Sequence, residues 1–236
     1  LSSSQNQLDL TISVKLLGMY LASRVQAGRM LASQILPKYQ DKKCAILALN
    51  DGGAMVGIEI AKQLNCFLTL LLGSEILLPR EPETFAGINA DGKVTYNPAY
   101  SDGEQEEMKS EYFGLIEQEK MLGMHKLNRL VGKGGQVSRK LLKGRNIIIV
   151  SDGMQDGFAL DMAMQYLKPI ETDKIIVATP FASIPAVDRM HVLADDLYCM
   201  NVIDNYISTD HYYDQHDVPE HEAVLSAVDD MTASWE

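Results

Sequence analysis

The stretch NIIIVSDGMQDGFAL at residues 146–160 carries the strongest structural signal in the chain. Residues 146–150 form a short apolar run that is typical of a strand buried on both faces. The glycines and aspartates at 151–157 predict a tight turn, and the apolar spacing at 158–167 predicts a helix. A buried strand followed by a turn and a helix is the unit from which parallel sheets are built.

The same alternation continues on both sides of this stretch. Further strands are predicted at 44–49, 67–72, 174–179 and 197–202. Further helices are predicted at 11–36, 54–64, 104–130, 185–194 and 220–228. Strands that alternate with helices indicate an α/β fold with a parallel sheet covered by helices on both faces.

Residues 73–104 interrupt that alternation with prolines and glycines. Asp91-Gly92 stands between the apolar segments 85–88 and 93–96, which predicts a small antiparallel hairpin insertion. We treat residues 1–236 as one domain, with a flexible tail at 1–9 and a flexible loop at 131–145.

Ligands of parallel α/β sheets bind beyond the carboxyl ends of the strands. Those ends are predicted at 50–53, 73–76, 151–157, 180–183 and 203–206. At 151–157 and at Asp51-Gly52-Gly53, a plain turn that caps the next helix explains the residues about as well as a ligand loop does.

Composition narrows the choice of partners. The formal net charge of -11 argues against nucleic acid and against an anionic membrane surface. The scattered cysteines Cys44, Cys66 and Cys199 are typical of reduced core residues in a cytoplasmic protein. We therefore expect a small-molecule ligand as partner, and a homodimer is compatible with the sequence.

The stretch at 146–160 resembles the signature of type I phosphoribosyltransferases, which bind phosphoribosyl pyrophosphate (PRPP). The family pattern is an apolar strand, two acids, a short spacer and Thr-Gly-x-Thr. The segments at 22–36, 47–65, 71–94, 179–190 and 212–222 are similar to a bacterial subgroup of that family. The resemblance implies the fold, a role in nucleotide metabolism and a PRPP site.

The implied site lies on three loops. Its residues are Asp51, Gly52, Gly53, Ser74, Glu75, Ser151, Asp152, Gly153, Met154, Gln155, Asp156 and Gly157. Asp152 keeps the second acid of the family pattern and is the candidate magnesium ligand. No catalytic residue is identified, and no cofactor is implied beyond magnesium on a bound phosphate.

The departures from the family pattern all weaken phosphate binding. Asp51 stands where the family has arginine, and Ser74-Glu75 stands where it has a basic pair. Asp156 and Ala159 replace the two threonines of the phosphate turn, and Asp156 is expected to cap the helix that begins at Phe158. One charge pair at about 5 Å is worth roughly 3 kcal/mol at an effective dielectric near 20, so each reversal is costly.

Three hypotheses follow. The first is a degenerate phosphoribosyltransferase-fold protein that acts as a ligand-binding or regulatory protein. The second is an active enzyme that transfers phosphoribose to a nitrogenous base, with the basic run at 133–145 closing over pyrophosphate as a flap. The third is a protein-interaction scaffold that exposes Met108, Met121 and Met124.

The segment 210–221 contains three histidines and several aspartates, without the spacing of a known metal motif. We expect a solvated lid there, whose tyrosines have the chemistry to stack on a ligand base.

Overall fold

The computed structural model describes residues 20–81, 83–131 and 139–232. The helices are α1 (Arg24–Tyr39), α2 (Asp51–Leu64), α3 (Asp102–Glu111), α4 (Phe113–Val131), α5 (Arg139–Leu142), α6 (Phe158–Leu167), α7 (Ile184–Leu193) and α8 (His221–Thr232). The strands are β1 (Cys44–Ala48), β2 (Leu68–Leu70), β3 (Gly73–Ile76), β4 (Ala86–Asn89), β5 (Val94–Tyr96), β6 (Asn146–Val150), β7 (Ile175–Ser183) and β8 (Asp196–Ile203). A short 3-10 helix covers Thr209–Tyr212.

Five strands form a parallel sheet in the order β2-β1-β6-β7-β8. Alternate residues of each strand point to opposite faces. Ile46 and Ile148 therefore join a core with α1, α2 and α8, whereas Leu47 and Ile149 join a second core with α6 and α7. The predicted parallel sheet with helices on both faces is confirmed.

The remaining three strands form a separate antiparallel sheet in the order β3-β4-β5. Gly92 turns the β4–β5 hairpin with φ of 78°, a backbone conformation that glycine adopts without steric cost. The predicted antiparallel insertion is confirmed. The prediction of a loop at 73–76 is wrong, because Ser74 and Glu75 pair with Ile88 and Gly87 of β4.

Two predicted helices have different bounds in the structure. The helix predicted at 11–36 begins only at Arg24 in the described part of the chain, because Leu21 bridges to Tyr213, and it runs past Pro37 to Tyr39. Residues 11–19 lie outside the described ranges. The helix predicted at 104–130 is two helices, α3 and α4, which meet at Tyr112.

The cysteines are free, as predicted. Burial raises the pKa of the Cys44 thiol to about 11, which keeps it protonated and unreactive. Among the described residues, no helix is long and apolar enough to cross a membrane.

Candidate functional site

A cleft of about 490 Å³ opens at the carboxyl ends of the strands, between the segment 151–157 and the small sheet. Seven of the predicted site residues line it: Glu75, Ser151, Gly153, Met154, Gln155, Asp156 and Gly157. Seven others outside the predicted set complete the lining: Leu49, Asn50, Glu83, Thr84, Ala159, Pro185 and Thr209. The fold thus brings most of the predicted segment 151–157 into one concave surface.

The segment 151–157 is fixed by hydrogen bonds to the end of β7. The Met154 N–H donates to the Phe181 carbonyl at 2.9 Å, and the Ser183 N–H donates to the Met154 carbonyl at 2.9 Å. The Ser183 hydroxyl also donates to the Gln155 carbonyl. These bonds hold the segment 151–157 in one shape without a ligand.

Asp156 lies on the rim of the cleft and is exposed. Its Oδ1 accepts a hydrogen bond of 2.9 Å from the Phe158 N–H, as the sequence predicts. Gly157 makes this turn with φ of 80°. A backbone N–H at the start of a helix is a donor that a bound phosphate would use, and here the protein's own carboxylate occupies it.

Asp152 lies below the rim, with only 4% of its surface exposed. Its Oδ2 accepts a hydrogen bond of 2.8 Å from Nε of Arg24, and its carbonyl accepts one of 2.8 Å from the Tyr213 hydroxyl. Burial raises the pKa of Asp152, against the opposing charge of Arg24 and a hydrogen bond from the Asn50 side chain. The retained acid of the family pattern is therefore part of the protein interior.

Arg24 is the centre of this buried network. It is 2% exposed, and its guanidinium also contacts Asp210 and, at 3.2 Å, Asp217. The group stacks 4.4 Å from the centroid of the Tyr213 ring. Burial by itself would lower the pKa of Arg24, but the three carboxylates raise it overall. Arg24 thus joins α1, the loop after β6 and the segment 210–217.

This environment does not fit the predicted magnesium role of Asp152. Oδ2 of Asp152 already pairs with the Arg24 guanidinium. Oδ1 is buried and has no hydrogen bond of ordinary length and angle to a described residue. Magnesium keeps several waters in its coordination shell and needs room for them. A cation in direct contact with Arg24 would also be repelled.

Asp51, Gly52, Gly53 and Ser74 do not line the cleft. The first three form the opening turn of α2, and Asp51 bonds Nδ1 of His221 at 2.8 Å. A side chain at Gly52 would lie 2.0 Å from Oδ2 of Asp152. Residues 51–53 therefore pack on Asp152 and lie outside the cleft lining.

The lining of the cleft is acidic. Glu75, Glu83 and Asp156 contribute carboxylates, and no lysine, arginine or histidine is among the described residues that line it. Glu75 accepts a hydrogen bond of 3.2 Å from the Thr84 hydroxyl. The cleft thus presents negative charge where a PRPP site presents positive charge.

The described part of the basic run at 133–145 does not line the cleft. Arg139 pairs with Asp91 and stacks on Tyr166, and Lys143 pairs with Glu171 at 2.8 Å. Lys133 is outside the described residues. Arg139 and Lys143 therefore have acidic or aromatic partners away from the cleft, and Arg145 lies over the Phe67 ring.

The prediction of a solvated lid at 210–221 is wrong for its two tyrosines. Tyr212 and Tyr213 are buried and pack against Phe181, so they do not face a ligand. Among the described residues, no group of three or more acidic, histidine or cysteine side chains is arranged to hold a metal ion.

A sequence model of the phosphoribosyl transferase domain family matches residues 18–217. The chain therefore belongs to the phosphoribosyl transferase domain family. Two curated relatives are each named "putative phosphoribosyl transferase", from Mycobacterium tuberculosis strains H37Rv and CDC 1551. Each is 29% identical over 178 residues, which are 75% of this chain and only 39% of the relative.

A solved structure with the same fold is that of TT1426 from Thermus thermophilus. It superimposes with a TM-score of 0.67 at 22% identity, covering 89% of this chain and 97% of that one. This similarity confirms the fold, but 22% identity does not indicate a shared activity.

Proposed function

We propose that this domain uses the phosphoribosyltransferase fold to bind a neutral or cationic small molecule, in a ligand-binding or regulatory role without ordinary PRPP chemistry. The observation that carries the proposal is the state of the two aspartates in the segment 151–157. Asp152 is bound to Arg24, and Asp156 occupies the helix N–H that a phosphate would need.

The charge of the cleft supports the same conclusion. A phosphate close to Glu75 or Asp156 would meet repulsion where the family pattern has attraction or neutral donors. A charge pair at about 5 Å is worth roughly 3 kcal/mol at an effective dielectric near 20. Even after strong screening, the loss of affinity for PRPP is on the order of a hundredfold or more.

The catalytic consequence is direct. Enzymes of this type work chiefly by holding PRPP in a reactive orientation, so loss of binding is loss of catalysis.

The free, mostly buried thiols support a reducing, cytoplasmic compartment.

An active phosphoribosyltransferase is the second candidate. Family membership and the names of the mycobacterial relatives favour it. It requires cations from outside the described lining, either from residues 132–138 or from another subunit or domain.

The scaffold hypothesis has less support. Met108 and Met124 pack against core clusters, so of the three methionines only Met121 is strongly exposed.

Calorimetric titration with PRPP and magnesium separates the first two candidates. We expect no binding below about millimolar PRPP, and ribose 5-phosphate serves as the control for the phosphate alone. Micromolar PRPP binding by the wild-type chain would overturn the proposal and turn attention to base-dependent pyrophosphate release.

A gain-of-binding variant makes the test sharper. Asp156→Thr combined with Ala159→Thr removes the competing carboxylate and restores both hydroxyls of the family turn. We expect this double variant to bind PRPP more tightly than the wild type by at least about tenfold. Glu107→Thr, an exposed acid-to-threonine change on α3 outside the cleft lining, is the matched control and should leave PRPP binding unchanged.

A further inference from the structure

Two of the three cysteines, Cys44 and Cys66, lie opposite each other where β1 meets the chain that leads into β2. The parallel ladder pairs Ile46 with Leu68, and the Ile46 N–H donates to the Phe67 carbonyl at 3.0 Å. Counting back two residues along each strand brings Cys44 opposite Cys66. Because side chains alternate between the faces of a sheet, both thiols project to the face that carries Ile46 and Leu68.

Both cysteines are buried in the same core, as this alternation requires. Cys44 is 1% exposed and Cys66 is 4% exposed, and both pack in the core with α1, α2 and α8. Neighbouring strands of a sheet lie about 4.8 Å apart. Disulfide-bonded cysteines have their Cα atoms about 4.4–6.8 Å apart. The pair therefore has the backbone spacing that a disulfide needs.

The surroundings of the two thiols also show that they are close together. Burial raises the pKa of Cys66 to about 12, and the neighbouring Cys44 adds to that rise. Burial likewise raises the pKa of Cys44 to about 11. The cation of Arg145 opposes the rise in pKa at both cysteines. The two sulfur atoms therefore lie near each other and near one guanidinium group.

We propose that Cys44 and Cys66 are an oxidation site, at which a small-molecule disulfide converts the two thiols into an intramolecular disulfide. One cysteine attacks a sulfur of the oxidant, and its proton goes to the thiolate that leaves. The other cysteine then attacks the mixed disulfide, closes the Cys44–Cys66 bond and releases the second small thiol. The protein loses two electrons and two protons, and the oxidant gains them. This inference is independent of what the cleft binds.

The bond would close a loop that contains the whole of α2. This helix runs from Asp51 to Leu64, between the two cysteines. A cross-link of this kind stabilises a protein mainly by restricting its unfolded chain. Because burial keeps both thiols protonated, the exchange reaction takes place only when this corner of the fold opens. The disulfide should therefore form slowly in the folded chain and, once formed, resist reduction.

Refolding of the full chain in a glutathione redox buffer tests the pairing without the kinetic barrier that burial imposes. Three cysteines allow three pairings, and mass spectrometry of proteolytic peptides identifies the one that forms. We expect the Cys44–Cys66 disulfide to exceed either pairing with Cys199 by at least about tenfold. A chain that pairs chiefly through Cys199, or that refolds with only free thiols and mixed disulfides with glutathione, would overturn the proposal.

Thermal melting of oxidised and reduced samples gives a second readout with a matched control. The oxidised wild type should melt at least about 5 °C above its reduced form. Cys199→Ala keeps both partners and should show the same rise, whereas Cys44→Ala and Cys66→Ala should show none. Each variant is compared with its own reduced form, so the cost of the substitution itself cancels. An oxidised wild type that melts no higher, or a rise that persists in Cys66→Ala, would contradict the proposed bond.

Discussion

Asp152 and Asp156 stand four residues apart in one loop and do opposite things. Asp152 is buried, bonded to Arg24, and covered by the Gly52 backbone, whereas Asp156 is exposed on the rim and caps α6. The resemblance to the family pattern implies that both belong to one PRPP site. The structure separates them into a buried floor, formed by Arg24, Gly52 and Asp152, and an exposed rim at Asp156 that lines the cleft.

Removing Arg24 should produce the largest effect and would test the floor directly. Arg24→Met keeps the length of the side chain but leaves the Asp152 carboxylate buried without its cation. Breaking a buried pair in this way costs about 3–5 kcal/mol of unfolding free energy. Denaturant unfolding of the wild type and Arg24→Met measures it. The matched control is Arg29→Met. The Arg29 side chain is exposed, and its partner Glu59 keeps an ion pair with Lys62 at 2.7 Å, so the cost should be no more than about 1 kcal/mol.

The pH dependence of the stability of Arg24→Met tests whether the Asp152 charge causes the loss. Burial already raises the pKa of Asp152, and removal of the neighbouring cation raises it further. A carboxyl whose pKa is higher in the folded than in the unfolded chain favours folding while protonated, and this advantage is lost as the pH rises through the folded pKa. The stability deficit of Arg24→Met should therefore be smaller near pH 5 than near pH 7.5. An equal deficit at both pH values would mean that the Asp152 charge does not cause it.

Filling the space at Gly52 should have the next largest effect. The new methyl group of Gly52→Ala would lie 2.0 Å from Oδ2 of Asp152, and Arg24 prevents that carboxylate from moving aside. Such crowding costs about 1–3 kcal/mol. Gly103→Ala, in α3, meets nothing within 4 Å and should instead stabilise the chain by about 0.5 kcal/mol. Thermal melts that give both variants the same sign would contradict this account of the floor.

Local sequence patterns predicted the parts of the molecule that depend on neighbouring residues. The apolar run at 146–150 and the helix at Phe158–Leu167 are found as predicted, because periodicity and turn residues specify them locally. Asp156 capping the helix is equally local. The start of β3 was not predicted, because Gly73, Ser74 and Glu75 are small or polar residues that are typical of a turn after the apolar run at 67–72.

The buried contacts of Arg24 could not be predicted from local sequence patterns. Arg24 meets Asp152, Asp210 and Asp217, which lie 128, 186 and 193 residues further along the chain. No periodicity links positions so distant, and an arginine at the start of a helix usually remains in solvent. Only the folded sheet brings its partners together, so the sequence could not indicate that Asp152 belongs to a buried ion network.

Asp156→Ala tests the rim, where a smaller effect is expected. The substitution removes the acceptor for the Phe158 N–H and should cost about 1 kcal/mol of unfolding free energy. It also frees that N–H and removes one negative charge from the cleft, so affinity for inorganic phosphate should rise. Calorimetric titration with phosphate measures the change, and Asp156→Asn, which keeps the cap, should lose less stability. A stability loss as large as that of Arg24→Met would show that rim and floor are not distinct.

The smallest effect is expected at Thr84, on the other wall of the cleft. Its hydroxyl donates to Glu75 at 3.2 Å, and Thr84→Val removes that bond while keeping the shape of the side chain. Because Glu75 lies on the solvent-facing rim, water can replace the lost donor, and we expect a cost of about 0.5 kcal/mol. Thr69→Val is the matched change in a buried strand of the central sheet and should cost more. If Thr84→Val instead destabilised the chain by several kcal/mol, the Thr84–Glu75 hydrogen bond would contribute as much to stability as the Arg24–Asp152 pair does. The side chains that line the cleft would then be part of the structural core.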